Sequence, residues 1–215
     1  MSNMKRIYPL SLVAALVFAS ASFAQTQPLE LPAPQKTGGL PLMEVLAKRS
    51  TARAFDTRDL APQQFSNLLW AAFGINRADG KRTAPSARNW QEIDVYVLLK
   101  QGAFLYDAKN HRLDLVMADD VRPLGGTQAF VKDAPVTLVF VADLAKMGNG
   151  SAEAKANNAN IDTGYISQNV YLFCASEGLA TGARGMVDRA ALGPKLNLRS
   201  DQMIVLAQSV GFPKP

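Results

Sequence analysis

The chain has 215 residues and a formal net charge of +5, from 23 Lys and Arg against 18 Asp and Glu, with one cysteine and one histidine. A single cysteine excludes an intrachain disulfide, and one histidine leaves no cluster for a Cys/His metal site and no good Ser-His or Cys-His catalytic pair. Cations and acids are interspersed along the chain rather than segregated, which argues against nucleic acid as a partner.

Residues 1–24 have the three-part layout of a secretory signal. Lys5 and Arg6 precede an apolar run from Ile7 to Phe18, broken by Pro9 and Ser11, and Ser22-Phe23-Ala24 places small residues at the cleavage positions. The run is too short and too weakly flanked for a stable membrane span. The expectation is a periplasmic or secreted protein that begins at Gln25. Its removal takes away two cations and no acid, so the mature chain is less basic than the whole. Gln25 to Gly39 is rich in Pro, Gln and Thr without periodicity and reads as a flexible lead-in. One domain is expected over 40–215.

Leu42, Val45 and Leu46 have helical spacing, and a stronger helix runs from Pro62 to Phe73, with Phe65, Leu68, Leu69, Ala72 and Phe73 on one face. Gly74 to Ser86 is polar and reads as a loop. Ile93, Val95, Val97 and Leu99 alternate as in a strand. Phe104-Leu105-Tyr106 and Leu113 to Val116 flank a turn at Asn110, which predicts a hairpin with His111 exposed at its tip. Val136 to Val141 is a continuous β-branched and aromatic run that suits a central strand buried on both faces. Met147 to Asn160 reads as a mobile loop or a weak helix start. Asp162 then caps a helix to Glu177, with Ile166, Val170, Phe173 and Cys174 on its apolar face and Gly178 closing it. Cys174 is therefore expected to be a core thiol. A short extended piece at 179–181 and a final strand from Met203 to Val210 complete an α+β domain, a largely antiparallel sheet with helices packed on it.

Three segments carry the chemistry. Arg49, Ser50, Thr51 and Arg53 offer two guanidinium groups and two hydroxyls within five residues, which suits a phosphate and a ring carbonyl; the same cations also complement the C-terminal dipole of the first helix. Ser86, Asn89 and Gln91 present a hydroxyl and two amides that both donate and accept, as a heteroaromatic ring edge requires, or as an ordinary turn before a strand would use them. Trp90 between them fits a ring wall or a core position. Gly182 to Gly185 admits a close approach of backbone N–H groups, or is a plain tight turn. The glycines at 74 and 80 do not make a phosphate-binding P-loop, since Arg82 stands where Ser or Thr is required.

In this order, the segments resemble the FMN-dependent nitroreductase family over about residues 40–214. The stretch Arg49 to Phe55, the loop Pro85 to Gln91, Ala134-Pro135-Val136, the helix end Ala175 to Leu179, Gly182 to Gly185 and Val210 to Pro213 carry the likeness. Leu68 to Arg77 is similar to the branch that includes the azoline dehydrogenases. The resemblance implies a nitroreductase-like fold and a homodimer with FMN at the subunit interface. It implies Arg49, Ser50, Thr51 and Arg53 at the phosphate and ring, Ser86, Asn89 and Gln91 at the ring edge, and the backbone of Arg184 and Gly185 near flavin N5. Members often carry an acidic residue where this chain has Arg184, and a basic tail where this chain offers only Lys214; Lys81 and Arg82 are alternative cations. The implied function is an exported oxidoreductase passing a hydride through N5 to a nitroaromatic, quinone or similar acceptor, with no catalytic side chain and no metal. NAD(P)H, the family's common donor, is scarce outside the cytoplasm. The alternatives are a flavin-dependent dehydrogenase of a small or peptide substrate and a non-catalytic flavin- or partner-binding protein.

Overall fold

The computed structural model describes residues 28–215. The expected signal segment and its cleavage point at Gln25 lie outside the described residues. Seven strands, β1 (Leu29–Glu30), β2 (Ile93–Leu99), β3 (Gly102–Asp107), β4 (Arg112–Met117), β5 (Val136–Asp143), β6 (Ala180–Arg184) and β7 (Gln202–Gly211), form one sheet in the order β1-β4-β3-β2-β5-β7-β6. Every paired neighbour is antiparallel. Among the described residues four α-helices accompany it: α1 (Leu42–Lys48), α2 (Pro62–Phe73), α3 (Ala152–Glu177) and α4 (Arg189–Lys195).

The two-residue side-chain period of a strand explains the layering. On β2 and β5, Val95, Val97, Leu99, Leu138 and Phe140 join the α2 and α3 faces, where Phe65, Leu68, Leu69, Ile166 and Val170 are buried. Their alternates Tyr96, Leu98, Val139 and Val141 meet Leu192 and Leu196, of α4 and its end, on the opposite side. β5 is buried along its whole length, as its continuous apolar run predicts. Cys174 is fully buried in the α3 layer, and burial raises its thiol pKa well above the ordinary range.

Several local expectations are corrected. Leu29 and Glu30, inside the segment read as a flexible lead-in, pair with Leu113 and Arg112. The stretch after them is tied to α2, since the Pro32 carbonyl accepts the Ser66 hydroxyl at 2.6 Å and the Ala33 carbonyl accepts from Gln63 at 2.9 Å. His111 does sit at the hairpin turn, with φ +52°, but it is half-buried between Ser66 and Tyr106. α3 begins ten residues before Asp162. Ser151 caps it, its hydroxyl accepting the Ala154 N–H at 3.2 Å; of the two readings of this small polar run, a mobile loop or a weak helix start, the helix start holds from Ala152, since the run is rich in Ala, a strong helix former. Asp162 is thus a buried mid-helix residue. Gly178, in the left-handed conformation at φ +67°, closes α3 as expected. Gly182 to Arg184 is not a tight turn but part of β6, and α4, capped by Asp188, has no counterpart in the sequence reading.

Candidate functional site

α1 ends at Lys48, and the chain from Arg49 onward runs extended beside β6. The Ala52 N–H donates to the Thr181 carbonyl at 2.8 Å, and Phe55 bridges to Pro213. Gly182 makes this approach possible. A Cβ there would lie 2.4 Å from the Ala52 carbonyl oxygen. Tyr171 of α3 ties the two pieces together: its hydroxyl accepts the Ala183 N–H at 2.9 Å and lies 3.1 Å from Thr51 Oγ1, and its ring is 5.4 Å from the Arg49 guanidinium.

The result is a half-open cleft of about 220 Å³ lined by Thr51, Ala52, Arg53, Gln128, Phe130 and residues 182–186. It holds two arginines and no acid. Arg53 is exposed, and Ser50 is exposed beside it. Gly185 lies beyond the last ladder pair, Arg184 with Ala207, so its N–H stands outside the sheet. The Arg184 side chain turns inward and is buried, donating to the Gly125 carbonyl at 2.9 Å and to Ser209 Oγ at 2.8 Å.

The second group lies on the loop before β2. Arg88, Asn89 and Gln91 all have left-handed backbone, at φ +51°, +57° and +49°, a conformation that costs a non-glycine residue free energy unless its surroundings hold it. Several bonds do so here. Ser86 Oγ accepts the Gln91 N–H at 3.0 Å, and Asp162 Oδ2 accepts the Ala87 N–H at 2.8 Å. The Gln91 side chain is used within the loop: its oxygen accepts from Arg82 Nε at 2.7 Å and its amide donates to Gly80 and Asn89. Arg82 also donates to the Phe73 carbonyl at 2.9 Å and lies over the Phe73 ring, so it is a strut rather than a free cation. Lys81 pairs with Asp79 at 2.8 Å. Asn89, whose oxygen Gln91 engages, is exposed and keeps its amide N–H₂ for an outside partner. Trp90 is half-buried, with the Arg88 guanidinium 5.5 Å from its ring.

Beneath this loop lies Glu92, fully buried, with neither carboxyl oxygen hydrogen-bonded. Burial, with Asp162 beside it, pushes its pKa up to about 7, against the pull of Lys146. Sequence reasoning missed Glu92, Tyr171 and the inward turn of Arg184. An acid directly before an apolar strand is a signal for the first; for the others the contacts exist only in three dimensions.

The cleft and the loop are not brought together within one chain. Tyr171 marks one and Asp162 the other, nine residues apart on α3, which is about 14 Å along a helix. Large apolar side chains are exposed on the same helix and on α1: Ile161 and Tyr165 of α3, and Leu42, Met43 and Leu46 of α1. Among the described residues there is no group of three or more His, Cys, Asp or Glu able to hold a metal ion, and no helix is long and apolar enough to cross a membrane.

The family model described as "Nitroreductase family" matches residues 46–212, which takes in both groups and nearly all of the sheet. The chain belongs to the nitroreductase family. A crystal structure of a protein assigned to the nitroreductases from Ralstonia eutropha JMP134 is 40% identical, with a TM-score of 0.83 over 87% of this chain and 90% of that one. A relative from Methanocaldococcus jannaschii, also assigned to the nitroreductases, is 26% identical over 67% of this chain and 78% of its own length. The fold extends to the Escherichia coli microcin synthetase McbBCD complex with truncated pro-MccB17 bound, at 17% identity and a TM-score of 0.67 over 95% of this chain and 85% of that one. It is shared too with a structure from Staphylococcus epidermidis of a protein assigned as an NAD(P)H:FMN oxidoreductase, at 17% identity and a TM-score of 0.62 over 85% of this chain and 92% of that one.

Proposed function

We propose that this nitroreductase-family chain is an FMN-dependent oxidoreductase that works as a homodimer outside the cytoplasm, passing a hydride to a nitroaromatic, quinone or similar acceptor. The observation that carries the reading is the composition of the cleft. Arg53, Thr51 and the unladdered N–H of Gly185 meet in one acid-free space, a donor set that fits a planar cofactor bearing phosphate. FMN supplies the hydride chemistry when bound; the side chains bind and orient it. Arg49, Ser50 and Thr51 are assigned to the phosphate, Arg53 and the Arg184–Gly185 backbone to the ring. Ser86 and Asn89 are assigned to the ring edge, and Gln91 supports them from within the loop.

The separation of loop and cleft along α3 supports a site completed by a second copy, whose loop faces this cleft. The exposed apolar residues of α1 and α3 fit the joining surface. NAD(P)H is the family's common donor; export makes a different donor or an electron-supplying partner the better fit.

The test is direct. The purified protein is expected to be yellow, to bleach with a reductant and to recover colour with a nitroaromatic or quinone. A colourless protein that ignores added FMN refutes the cofactor assignment. The exported form is expected to begin at Gln25, and a mature protein that retains Met1 refutes export by a cleaved signal.

A further inference from the structure

Arg184 is a buried cation without a counter-ion. Its guanidinium donates to Gly125 and Ser209, while Nη2 has no partner. Among the described residues no carboxylate pairs with it. Burial alone lowers its pKa, to about 10, so it stays charged at neutral pH. An unpaired charge inside a protein is costly. Yet the chain makes room for it. A Cβ on Gly126 would lie 2.3 Å from Arg184 Nε, and one on Gly125 would press on Thr137 at 2.9 Å and reach Nη2 at 3.5 Å. Two consecutive glycines therefore admit the buried guanidinium of an arginine that itself lines the cleft. An apolar residue would fill the same space without the charge.

Resting on the FMN assignment above, we propose that the Arg184 guanidinium, held without a carboxylate behind the cleft floor, favours the reduced, negatively charged state of the bound flavin over the oxidised, neutral ring. Arg184 and Gly185 line the cleft, and the Arg184 side chain is buried against Gly125 and Ser209. A buried charge acts on a ligand in the adjoining cleft through an effective dielectric of about 20 rather than that of bulk water. Its hydrogen bonds to Gly125 and Ser209 fix its position, so the field is in place before the ligand changes charge.

The experiment measures the midpoint potential of the flavin-loaded protein by spectroelectrochemistry, with thermal melting of each apo variant as a folding check. Arg184→Gln is expected to reduce the preference for reduced over oxidised FMN about tenfold, which for a two-electron couple is a fall of about 30 mV. Arg184→Lys, measured at pH 6 to keep the amine protonated, is expected to restore a potential near that of the parent. Ser209→Asp supplies the missing carboxylate while leaving the arginine in place, and is expected to lower the potential in the same direction even if Arg184→Gln does not fold. A folded Arg184→Gln or Ser209→Asp protein with the parental potential overturns the proposal and leaves Arg184 as a structural strut. A parent protein that binds no flavin overturns the cofactor assignment itself, and this inference with it.

Discussion

At the scale of single residues, two arginines four positions apart sit in different surroundings and are proposed to have different roles. Arg49 is half-buried against Tyr171, at the end of α1, whereas Arg53 is exposed at the cleft. If Arg53 lies at the ring as proposed, Arg53→Ala removes a charge that would favour the reduced ring. An exposed charge of this kind contributes at most about 1 kcal/mol, so the potential is expected to fall by about 20 mV, on the basis that 30 mV corresponds to about 1.4 kcal/mol for two electrons. Arg49→Ala is expected to weaken FMN retention with little change in potential. Spectroelectrochemistry with excess FMN, paired with a binding titration, separates the two; an unchanged potential in Arg53→Ala removes that residue from the ring. Gln91 shows that residue type does not reveal what a side chain already holds. Its amide has the right chemistry for a ring edge, but Arg82, Gly80 and Asn89 occupy it.

At the scale of elements, the cleft depends on an extended segment lying against β6. Gly182→Ala would put a methyl group into the Ala52 carbonyl, so the segment must move away or the strand must shift. Overpacking of this kind costs roughly 1–3 kcal/mol. The variant is expected to melt lower and to lose flavin, and unaltered flavin affinity would show that the segment docks without this contact. A second junction joins the β3–β4 hairpin to α2 and the chain after β1. The Ser66 hydroxyl donates to Pro32, so His111 Nε2 donates to Ser66 at 2.7 Å, and Nδ1 accepts from Tyr106 at 2.9 Å. This arrangement uses neutral histidine, and burial lowers the His111 pKa from its ordinary 6.5. The folded state therefore binds fewer protons than the unfolded chain. The contribution is full above the unfolded pKa of about 6.5 and declines as pH falls through it toward the folded value. The urea midpoint of the parent is expected to drop more between pH 7.5 and 5.5 than that of His111→Gln; equal drops would show that this histidine does not govern the acid sensitivity.

At the scale of the whole molecule, neither half of the proposed site is complete alone. The exposed apolar residues on α1 and α3 are expected to be the dimer surface. Combining Leu46→Glu with Tyr165→Glu places two charges there while sparing the buried Val45 and Ile166. The double variant is expected to sediment as a monomer and to lose flavin while keeping its secondary structure by circular dichroism. A dimer that persists moves the interface elsewhere, and a monomer that still holds FMN tightly shows that one chain supplies the site.

Sequence alone determined the elements whose signal is local and repeated. The face of α2, the alternation of β2, the unbroken apolar run of β5 and the αL glycine ending α3 each follow from short-range side-chain periodicity or backbone geometry. It also placed the family's motifs in order, with chemistry matched to a phosphate and a ring. Tertiary structure alone decided what depends on contacts between distant segments. β1 is two residues long and exists because β4 offers it an edge. The first ten residues of α3 carry few apolar signals, and Ala159 becomes core only once the helix packs. Asp162 turned from a cap into an acceptor for Ala87, 75 residues away. Arg184 turned inward because Gly125 and Gly126 left space for it. Periodicity records which face of an element is apolar; it does not record which other segment will supply or occupy a hydrogen bond.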